Sequence, residues 1–202
     1  MKLYSSTGSC SMASNIALHE AGIQFELVKV DRRTKKVEGV DFIQINPKGY
    51  VPALRLDDGQ VLTENIAVLQ YIADRNPAAK LAPPAGTMER YRLQEWLGFI
   101  NSEVHKAYSP LFSPEATEDM KQFARNNITK RLTYLQGALG TQKYLMGDQF
   151  TVADAYLFVV LGWSSHVGVD LAQWPAVKSY WERIKTRRHV IEAMTLEGLI
   201  KK

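Results

Sequence analysis

The sequence lacks the features that are typical of disulfide-linked, secreted and membrane-spanning proteins. Its 202 residues contain one cysteine, Cys10, so no disulfide can form within the chain, which fits a reducing compartment. No apolar run reaches the roughly 18 residues that a membrane-spanning helix needs. The residues after Met1 form no apolar signal core, so secretion by that route is not expected. We therefore expect a cytoplasmic protein that does not enter a membrane.

A concentrated charge of one sign is also missing. The chain has 25 Lys and Arg against 21 Asp and Glu, a net charge of +4, and its basic residues form only short clusters. Nucleic-acid-binding proteins usually carry a continuous basic face, so no nucleic-acid partner is expected. Hydrophobic residues make up 46% of the sequence, which is enough to build a packed core.

Internal repeats and low-complexity tracts are absent, but one change in composition divides the chain. The stretch from Asn76-Pro77 to Pro83-Pro84-Ala85-Gly86 stops helices and is typical of a linker. Before it, the patterns predict strands at 2–5, 25–30, 51–56 and 61–62, a helix over 11–21 and a second helix capped by Thr63. This order is that of a thioredoxin-like α/β domain, which we predict over residues 1–77, followed by a linker over 78–86.

The remainder, residues 87–202, has a helical period almost throughout and predicts an all-α domain. The segment from Val152 to Trp163 is apolar nearly all round, which indicates a central buried helix. Thr151 and Asp154 match a capping box at its start, and Pro175 suits the first position of a later helix. Met120 and Phe123 fall on the predicted apolar stripe of another helix.

Cys10 is the first candidate for chemistry, because it lies between a strand and the start of a helix. The unpaired N–H groups and the positive dipole end of a helix favour a thiolate there. A small buried side chain packed under the loop is an equal alternative. The residues that follow include no second cysteine, which argues against a dithiol reductase and leaves a mixed disulfide open.

Two further pairs suit a peptide-like ligand. Val51 precedes Pro52 at a strand start, where an extended ligand could pair with the backbone, although an ordinary strand start explains the pair equally simply. Glu64 and Asn65 stand at a helix N-terminus, where they could hold a carboxylate and an amine, or merely cap the helix.

Basic side chains supply the remaining candidates. His105 could donate to a sulfur or thiolate beside Lys106, or the two could form an exposed cation pair at a helix end. A basic loop over residues 32–36 could clamp a carboxylate, or be a solvated loop. Apolar contacts for a second ligand are expected from Tyr108, Phe112 and Trp163, for which core packing is the alternative.

Together these motifs resemble those of the cytosolic glutathione transferases, most closely the bacterial beta class, over essentially the whole chain. The matching stretches are 8–11 (GSCS), 46–54 (NPKGYVPAL), 62–67 (LTENIA), 95–97 (EWL), 103–106 (EVHK), 110–112 (PLF) and 150–155 (FTVADA). Two positions depart from the pattern of that class. Ser5 stands where a tyrosine is frequent, and Gly98 stands where an asparagine near the ligand sulfur is frequent.

The resemblance implies a role for each candidate. Cys10, Ser11 and His105 would be catalytic. Glutathione would be held by Cys10, Lys35, Val51, a cis Pro52, Glu64, Asn65, His105 and Lys106. It also implies a homodimer with no metal.

The resemblance further implies that the glutathione thiolate is conjugated to small, largely apolar electrophiles. Two alternatives stay open: a glutathione-dependent thiol–disulfide transferase or peroxidase that uses Cys10, and a non-enzymatic ligand-binding or regulatory protein.

Overall fold

The computed structural model describes residues 1–201, which form two compact units. The first consists of Met1–Ala82 together with the C-terminal segment from Thr186, and the second is Pro83–Lys185. The break at residues 82 and 83 lies inside the predicted linker. The C-terminal segment differs from expectation: it was predicted in the helical domain, but its helix packs against the first helix of the chain.

The first unit is built on a four-stranded mixed sheet of β1 Lys2–Ser5, β2 Glu26–Lys29, β5 Ala53–Arg55 and β6 Val61–Thr63. The strand order is β2-β1-β5-β6. Strand β1 pairs with β2 in parallel and with β5 antiparallel, and β5 pairs with β6 antiparallel. All four lie within or beside the predicted segments, and the thioredoxin-like α/β fold is confirmed. A small hairpin, β3 Lys36–Val37 and β4 Val40–Asp41, lies in the polar stretch after β2.

Three helices belong to this unit: α1 Ser11–Glu20, α2 Asn65–Arg75 and α8 Arg188–Glu197. Residues Ser11 to Leu18 of α1 are buried without interruption, so one neighbouring layer cannot cover the helix. Both α2 and α8 pack on α1, which is the physical reason that the C-terminal segment belongs to this unit. Gly22 follows α1 with φ of 63°, as predicted for a residue that ends a helix.

The predicted start of α2 at Thr63 is wrong by one residue. Thr63 is the last residue of β6, and the cap position belongs to Glu64, whose φ is 68°. Neither residue caps α2 with its side chain in the way that Thr63 was expected to do.

The second unit is helical, as predicted. Its elements are α3 Met88–Phe99, a π-helical segment Ile100–His105, α4 Lys106–Phe112, α5 Glu118–Leu139, α6 Val152–Gly162 and α7 Pro175–Lys185. Every residue from Val152 to Leu161 is buried, which confirms α6 as the central helix. The capping box of Thr151 and Asp154 is present, and Pro175 begins α7.

The predicted stripe of α5 is partly wrong. Met120 and Phe123 are exposed, and the buried face of that helix begins at Ala124 and continues through Ile128 and Leu132. Among residues 1–201 no helix combines the length and the apolar character needed to cross a bilayer.

Candidate functional site

Cys10 occupies the cap position at the N-terminus of α1. Its side chain is half-buried and its thiol donates a hydrogen bond to the carbonyl oxygen of Val51, with the sulfur 3.6 Å from that oxygen. Residues separated by 41 positions are therefore joined at the point where the helix dipole is most positive. Of the two interpretations of the sequence, the structure favours a partly accessible thiol at the N-terminus of α1 over a fully buried one.

Val51 precedes β5, and its bond to Pro52 is cis, as the resemblance implies. The turn before it is held by Asn46, whose side-chain amide donates to the Tyr50 carbonyl at 2.7 Å. Gly49 adopts a φ of 72°, which a residue with a β-carbon rarely takes. The backbone that faces Cys10 is thus fixed by the residues of the 46–54 motif.

Asn65, the first residue of α2, is buried and ties the two helix starts together. Its side-chain oxygen accepts from the Ser14 hydroxyl at 2.9 Å, and its amide donates to the Cys10 carbonyl at 3.3 Å. These two hydrogen bonds join α2 to α1 and to the cap residue of α1. Asn65 therefore sets where the backbone of Cys10 lies relative to α2.

Glu64 is exposed beside it, and its carboxylate is held by two residues that sequence reasoning missed. Lys48 lies 2.6 Å from one carboxylate oxygen, and the Tyr50 hydroxyl donates to the same oxygen at 3.0 Å. The hydrogen bond from Lys48 to Glu64 raises the pKa of this lysine. Both partners lie in the 46–54 motif, so that stretch was the only signal in the sequence that could have identified them.

Lys35 is exposed on the basic loop, with a φ of 56°. Its backbone N–H donates to the Asp31 carbonyl at 2.9 Å. Its side chain makes no hydrogen bond or ion pair within residues 1–201, so the structure does not bring it together with Cys10. Its proposed contact with a ligand stays a prediction.

Ser11 points into the first unit rather than toward solvent. Its hydroxyl lies 2.7 Å from the Ser5 hydroxyl, which in turn donates to Glu197 at 3.2 Å. Ser11 also accepts from the Ser6 N–H at 3.2 Å. The departure at Ser5 therefore has a structural role, because its small hydroxyl joins Ser11 to a carboxylate of α8.

Glu197 itself was not identified from the sequence. The carboxylate is buried and accepts from the Gly8 N–H at 2.8 Å and from the Asn15 amide at 3.3 Å. Burial raises the pKa of Glu197, while these hydrogen bonds oppose the increase. The loop that leads to Cys10 is thus attached to the last helix of the chain.

In the second unit, His105 ends the π-helical segment and is half-buried. Its Nδ1 lies 2.7 Å from the hydroxyl of the buried Tyr156, which donates to the side-chain oxygen of Asn101 at 3.0 Å. Burial, followed by the charge of Lys106, lowers the pKa of His105 to about 4. The alternative of an exposed cation pair is wrong, because only Lys106 is exposed and the imidazole is neutral at neutral pH.

An aromatic cluster surrounds Trp163. The rings of His105 and Phe112 pack on it with centroid distances of 4.7 and 5.9 Å. Tyr108 is fully buried, and its hydroxyl lies 2.7 Å from that of Ser164. Tyr108 is therefore a core residue, whereas Phe112, with 48% of its surface exposed, is available to a ligand.

A β-carbon added at Gly98 would meet no atom within 4 Å, so the glycine leaves open space on its helix. No group of three or more His, Cys, Asp or Glu side chains within residues 1–201 is arranged to hold a metal ion.

Known proteins similar to this chain share both units. Residues 1–74 match the N-terminal domain and residues 99–187 the C-terminal domain in the family models of glutathione S-transferase. Glutathione S-transferase GstA of Escherichia coli O157:H7 is 43% identical over 200 residues, which cover 98% of this chain and 100% of the relative.

Solved structures agree with these matches. A sphingomonad glutathione S-transferase complexed with glutathione is 48% identical, with a TM-score of 0.95, over 99% of this chain and 100% of the other. The bacterial beta-class glutathione S-transferase of Sphingomonas chungbukensis is 49% identical, with a TM-score of 0.96 and the same coverage.

Proposed function

From the premise that this chain belongs to the glutathione S-transferase family, and resembles its bacterial beta class, we propose how it works. It is an enzyme that transfers glutathione, joining the thiolate of the tripeptide to small electrophilic and largely apolar molecules. A solved relative of the same fold binds glutathione itself.

The observation that carries the proposal is the 3.6 Å contact between the Cys10 sulfur and the Val51 carbonyl. We place the cysteinyl part of glutathione along the backbone at Val51, where its N–H would donate to the carbonyl that now accepts from Cys10. The ligand sulfur would then lie at the N-terminus of α1. Extended peptides bind in this way because main-chain hydrogen bonds are independent of side-chain identity.

The γ-glutamyl end is assigned to Glu64 and Asn65. The carboxylate of Glu64 is exposed and can receive the ligand amine. Lys48 and Tyr50 hold this carboxylate in place. Asn65 acts indirectly, since both ends of its side chain already hold α1. The glycyl carboxylate is assigned to Lys35, whose exposed side chain can move to it.

Activation requires that the glutathione thiol lose its proton near neutral pH. A thiol of this kind has a pKa of about 8.5, and lowering it by about two stabilises the thiolate by about 2.7 kcal/mol. The helix N-terminus at Cys10 favours that charge. We assign His105 and Lys106 to the same sulfur, with Phe112 and Trp163 on the side of the apolar electrophile. Assembly as a homodimer and a cytoplasmic location are part of this proposal.

The test is direct binding and turnover. Purified protein should bind glutathione and conjugate it to a chloronitrobenzene, and a protein that does neither would contradict the proposal. Cys10→Ala separates conjugation from disulfide exchange. Conjugation should survive in large part if Cys10 is only a neighbour of the sulfur, whereas exchange with a glutathione mixed disulfide should vanish.

A matched control for this variant is Ser9→Ala. Ser9 precedes Cys10 in the same loop, and its hydroxyl contacts Ser11 at 2.7 Å without touching the thiol. If Ser9→Ala loses as much conjugation as Cys10→Ala, the loss reflects the loop and not the thiol. If Cys10→Ala abolishes conjugation while Ser9→Ala does not, Cys10 takes part in turnover itself.

A further inference from the structure

The ion pair of Lys48 and Glu64 presents one charge of each sign to solvent at the start of α2. The Lys48 ammonium lies 2.6 Å from a carboxylate oxygen of Glu64, and 46% of the lysine side chain and 50% of the glutamate side chain are exposed. Both residues belong to the first unit. A ligand that lies on this unit alone can therefore reach both charges.

The ammonium of Lys48 is held by a second acceptor besides Glu64. It donates to the hydroxyl of Thr63, the last residue of β6, at 3.1 Å. An ammonium group has three N–H donors, so these two bonds leave one donor for a further acceptor. Because Thr63 holds it, the ammonium can stay in place when Glu64 accepts from another cation.

The carboxylate of Glu64 is likewise held without being saturated. The Tyr50 hydroxyl donates to it at 3.0 Å, and this hydrogen bond raises the pKa of Tyr50, so the hydroxyl keeps its proton at neutral pH. A carboxylate offers about four acceptor positions, which is enough for Lys48, Tyr50 and a ligand amine. The backbone of Glu64 has a φ of 68°, a strained value for a residue with a β-carbon, and such strain is frequent at ligand sites.

The γ-glutamyl end of glutathione carries an ammonium and a carboxylate on the same carbon atom. These two adjacent charges match the ion pair, because the ligand ammonium can meet Glu64 while the ligand carboxylate meets Lys48. The four charged groups then alternate in sign, so each lies next to groups of opposite charge. A ligand ammonium without its carboxylate would instead be repelled by Lys48 on the same glutamate.

We propose that Lys48 and Glu64 act together as the receptor for the complete amino-acid end of glutathione, with Glu64 binding its ammonium and Lys48 its carboxylate. This inference rests on the proposed function and deepens it, because Lys48 becomes a residue that selects the ligand as well as a support for Glu64. The side chain of Asn65 is not available for the carboxylate, since it is buried and bound to Ser14 and Cys10.

The test is the affinity of the purified full-length protein for three tripeptides, measured by isothermal titration. They are glutathione, 4-aminobutyryl-cysteinyl-glycine, which lacks the α-carboxylate, and glutaryl-cysteinyl-glycine, which lacks the amine. Both analogues should bind the wild-type protein more weakly than glutathione does. Equal affinity for glutathione and for the 4-aminobutyryl peptide would overturn the proposal.

Lys48→Met tests the contact with the carboxylate. The Kd for glutathione should rise about fivefold, as expected for the loss of an exposed ion pair. The Kd for the 4-aminobutyryl peptide should not rise, because this ligand has no carboxylate for Lys48 to bind. Lys48→Arg keeps the charge and should restore most of the affinity for glutathione.

Two results for Lys48→Met would overturn the proposal. An equal rise in Kd for glutathione and for the 4-aminobutyryl peptide would show that Lys48 does not bind the carboxylate. Tighter binding of glutathione would show that Lys48 only competes with the ligand amine for Glu64.

Glu64→Gln tests the contact with the amine. The Kd should rise for glutathione but not for the glutaryl peptide, which has no amine for Glu64 to bind. An equal rise for these two peptides would overturn the assignment of the ammonium to Glu64.

The matched control is Lys2→Met. Lys2 forms a surface ion pair with Glu26 in the same unit, at 2.9 Å and with nearly the same exposure, 45% and 53%. It should leave the Kd of all three peptides unchanged, and a rise equal to that in Lys48→Met would assign the effect to net charge and overturn the proposal. A wild-type protein that binds none of the peptides would contradict the proposed function itself, whereas wild-type binding of glutathione that Lys48→Met leaves unaltered would overturn this inference alone.

Discussion

Asp154 in the second unit and Glu197 in the first are both buried carboxylates, and the two sites are built in different ways. In the second unit, Asp154 accepts from the N–H and the hydroxyl of Thr151, three residues away, and from Leu145 and Tyr180. In the first unit, Glu197 accepts from residues that precede it by more than 180 positions. Burial raises the pKa of both acids.

The difference concerns what each carboxylate holds in place. Asp154 secures the start of the central helix of its unit, and its partners are core and loop residues. Glu197 holds the loop from Ser5 to Ser11, which leads directly to Cys10. One buried acid therefore supports the fold, whereas the other supports the fold and the candidate site together. Variants of Asp154 should lose stability but keep activity, whereas variants of Glu197 should lose both.

The largest effect is expected for Asp154→Ala. The substitution leaves four donors, which belong to the buried residues Leu145, Thr151 and Tyr180, without their acceptor. It should lower the free energy of unfolding by about 4 kcal/mol. Denaturant unfolding measures this, with the exposed Asp148→Ala as control. The kcat/KM of the molecules that remain folded should be near that of the wild type, and a large loss there would remove the contrast between the two acids.

A buried histidine sharpens the comparison through pH. The pKa of His105 is about 4 in the folded protein, below its ordinary value, so folding favours the neutral ring. The stabilisation is present above an unfolded pKa of about 6.5 and is lost as pH falls toward 4, by about 2 kcal/mol between pH 7 and 5.

The measurement is denaturant unfolding of the wild type and of His105→Gln at both pH values. The difference in unfolding free energy between pH 7 and 5 should be smaller in the variant by that amount, while the exposed His166→Gln should behave like the wild type. The two buried acids act in the opposite direction: their raised pKa values make their contribution most favourable at low pH, and it declines as pH rises from the unfolded to the folded pKa. An unaltered pH dependence in His105→Gln would show that the ring is not buried in solution.

Glu197→Ala should reduce the free energy of unfolding by about 2 kcal/mol. The loss is smaller than at Asp154 because the Ser5 hydroxyl can turn to another acceptor and the Asn15 contact is long, at 3.3 Å. The decisive readout is kinetic: the KM for glutathione should rise several-fold, because the Gly8 N–H loses its acceptor and the loop before Cys10 loosens. If stability falls and the KM does not change, Glu197 has the same purely structural role as Asp154.

The smallest effect on stability is expected at Glu64, an exposed carboxylate at the start of α2. Its ion pair with Lys48 lies at the surface, so Glu64→Gln should change the free energy of unfolding by less than about 0.5 kcal/mol. The KM for glutathione should nevertheless rise by more than tenfold, since a charge that meets the ligand amine is lost. Steady-state kinetics with varied glutathione, with Glu95→Gln as an exposed control, measures the change.

The same contrast explains how far the sequence led. The capping box, the two strands before α2, the central helix and the position of Cys10 all follow from residues close together in the chain, and all were predicted. Glu197, the contact of Lys48 and Tyr50 with Glu64, and the hydrogen bonds of Tyr156 with Asn101 and His105 depend on pairing between distant segments, for which no local pattern exists. Of the two buried acids, only Asp154 was predicted, because it lies three residues from Thr151 in a capping box.

Two errors have the same origin. Thr63 is a residue type that often caps helices, but here it is the last residue of β6, and the cap position falls on Glu64. Met120 and Phe123 fit an apolar period, but both are exposed, so the period continues past the buried face of α5, which begins at Ala124. In both cases tertiary packing overrode a correct local preference.

The packing of α8 on α1 also affects the order of events during synthesis. The first helix emerges from the ribosome before the second unit, but one of its two covering helices is translated only after the whole second unit. The second unit, whose residues are contiguous, can complete its core while the first still waits for Val190, Ala193 and Glu197. The nascent N-terminal segment must therefore stay unfinished until the second unit and α8 have been translated, although in most proteins the earliest-made part matures first.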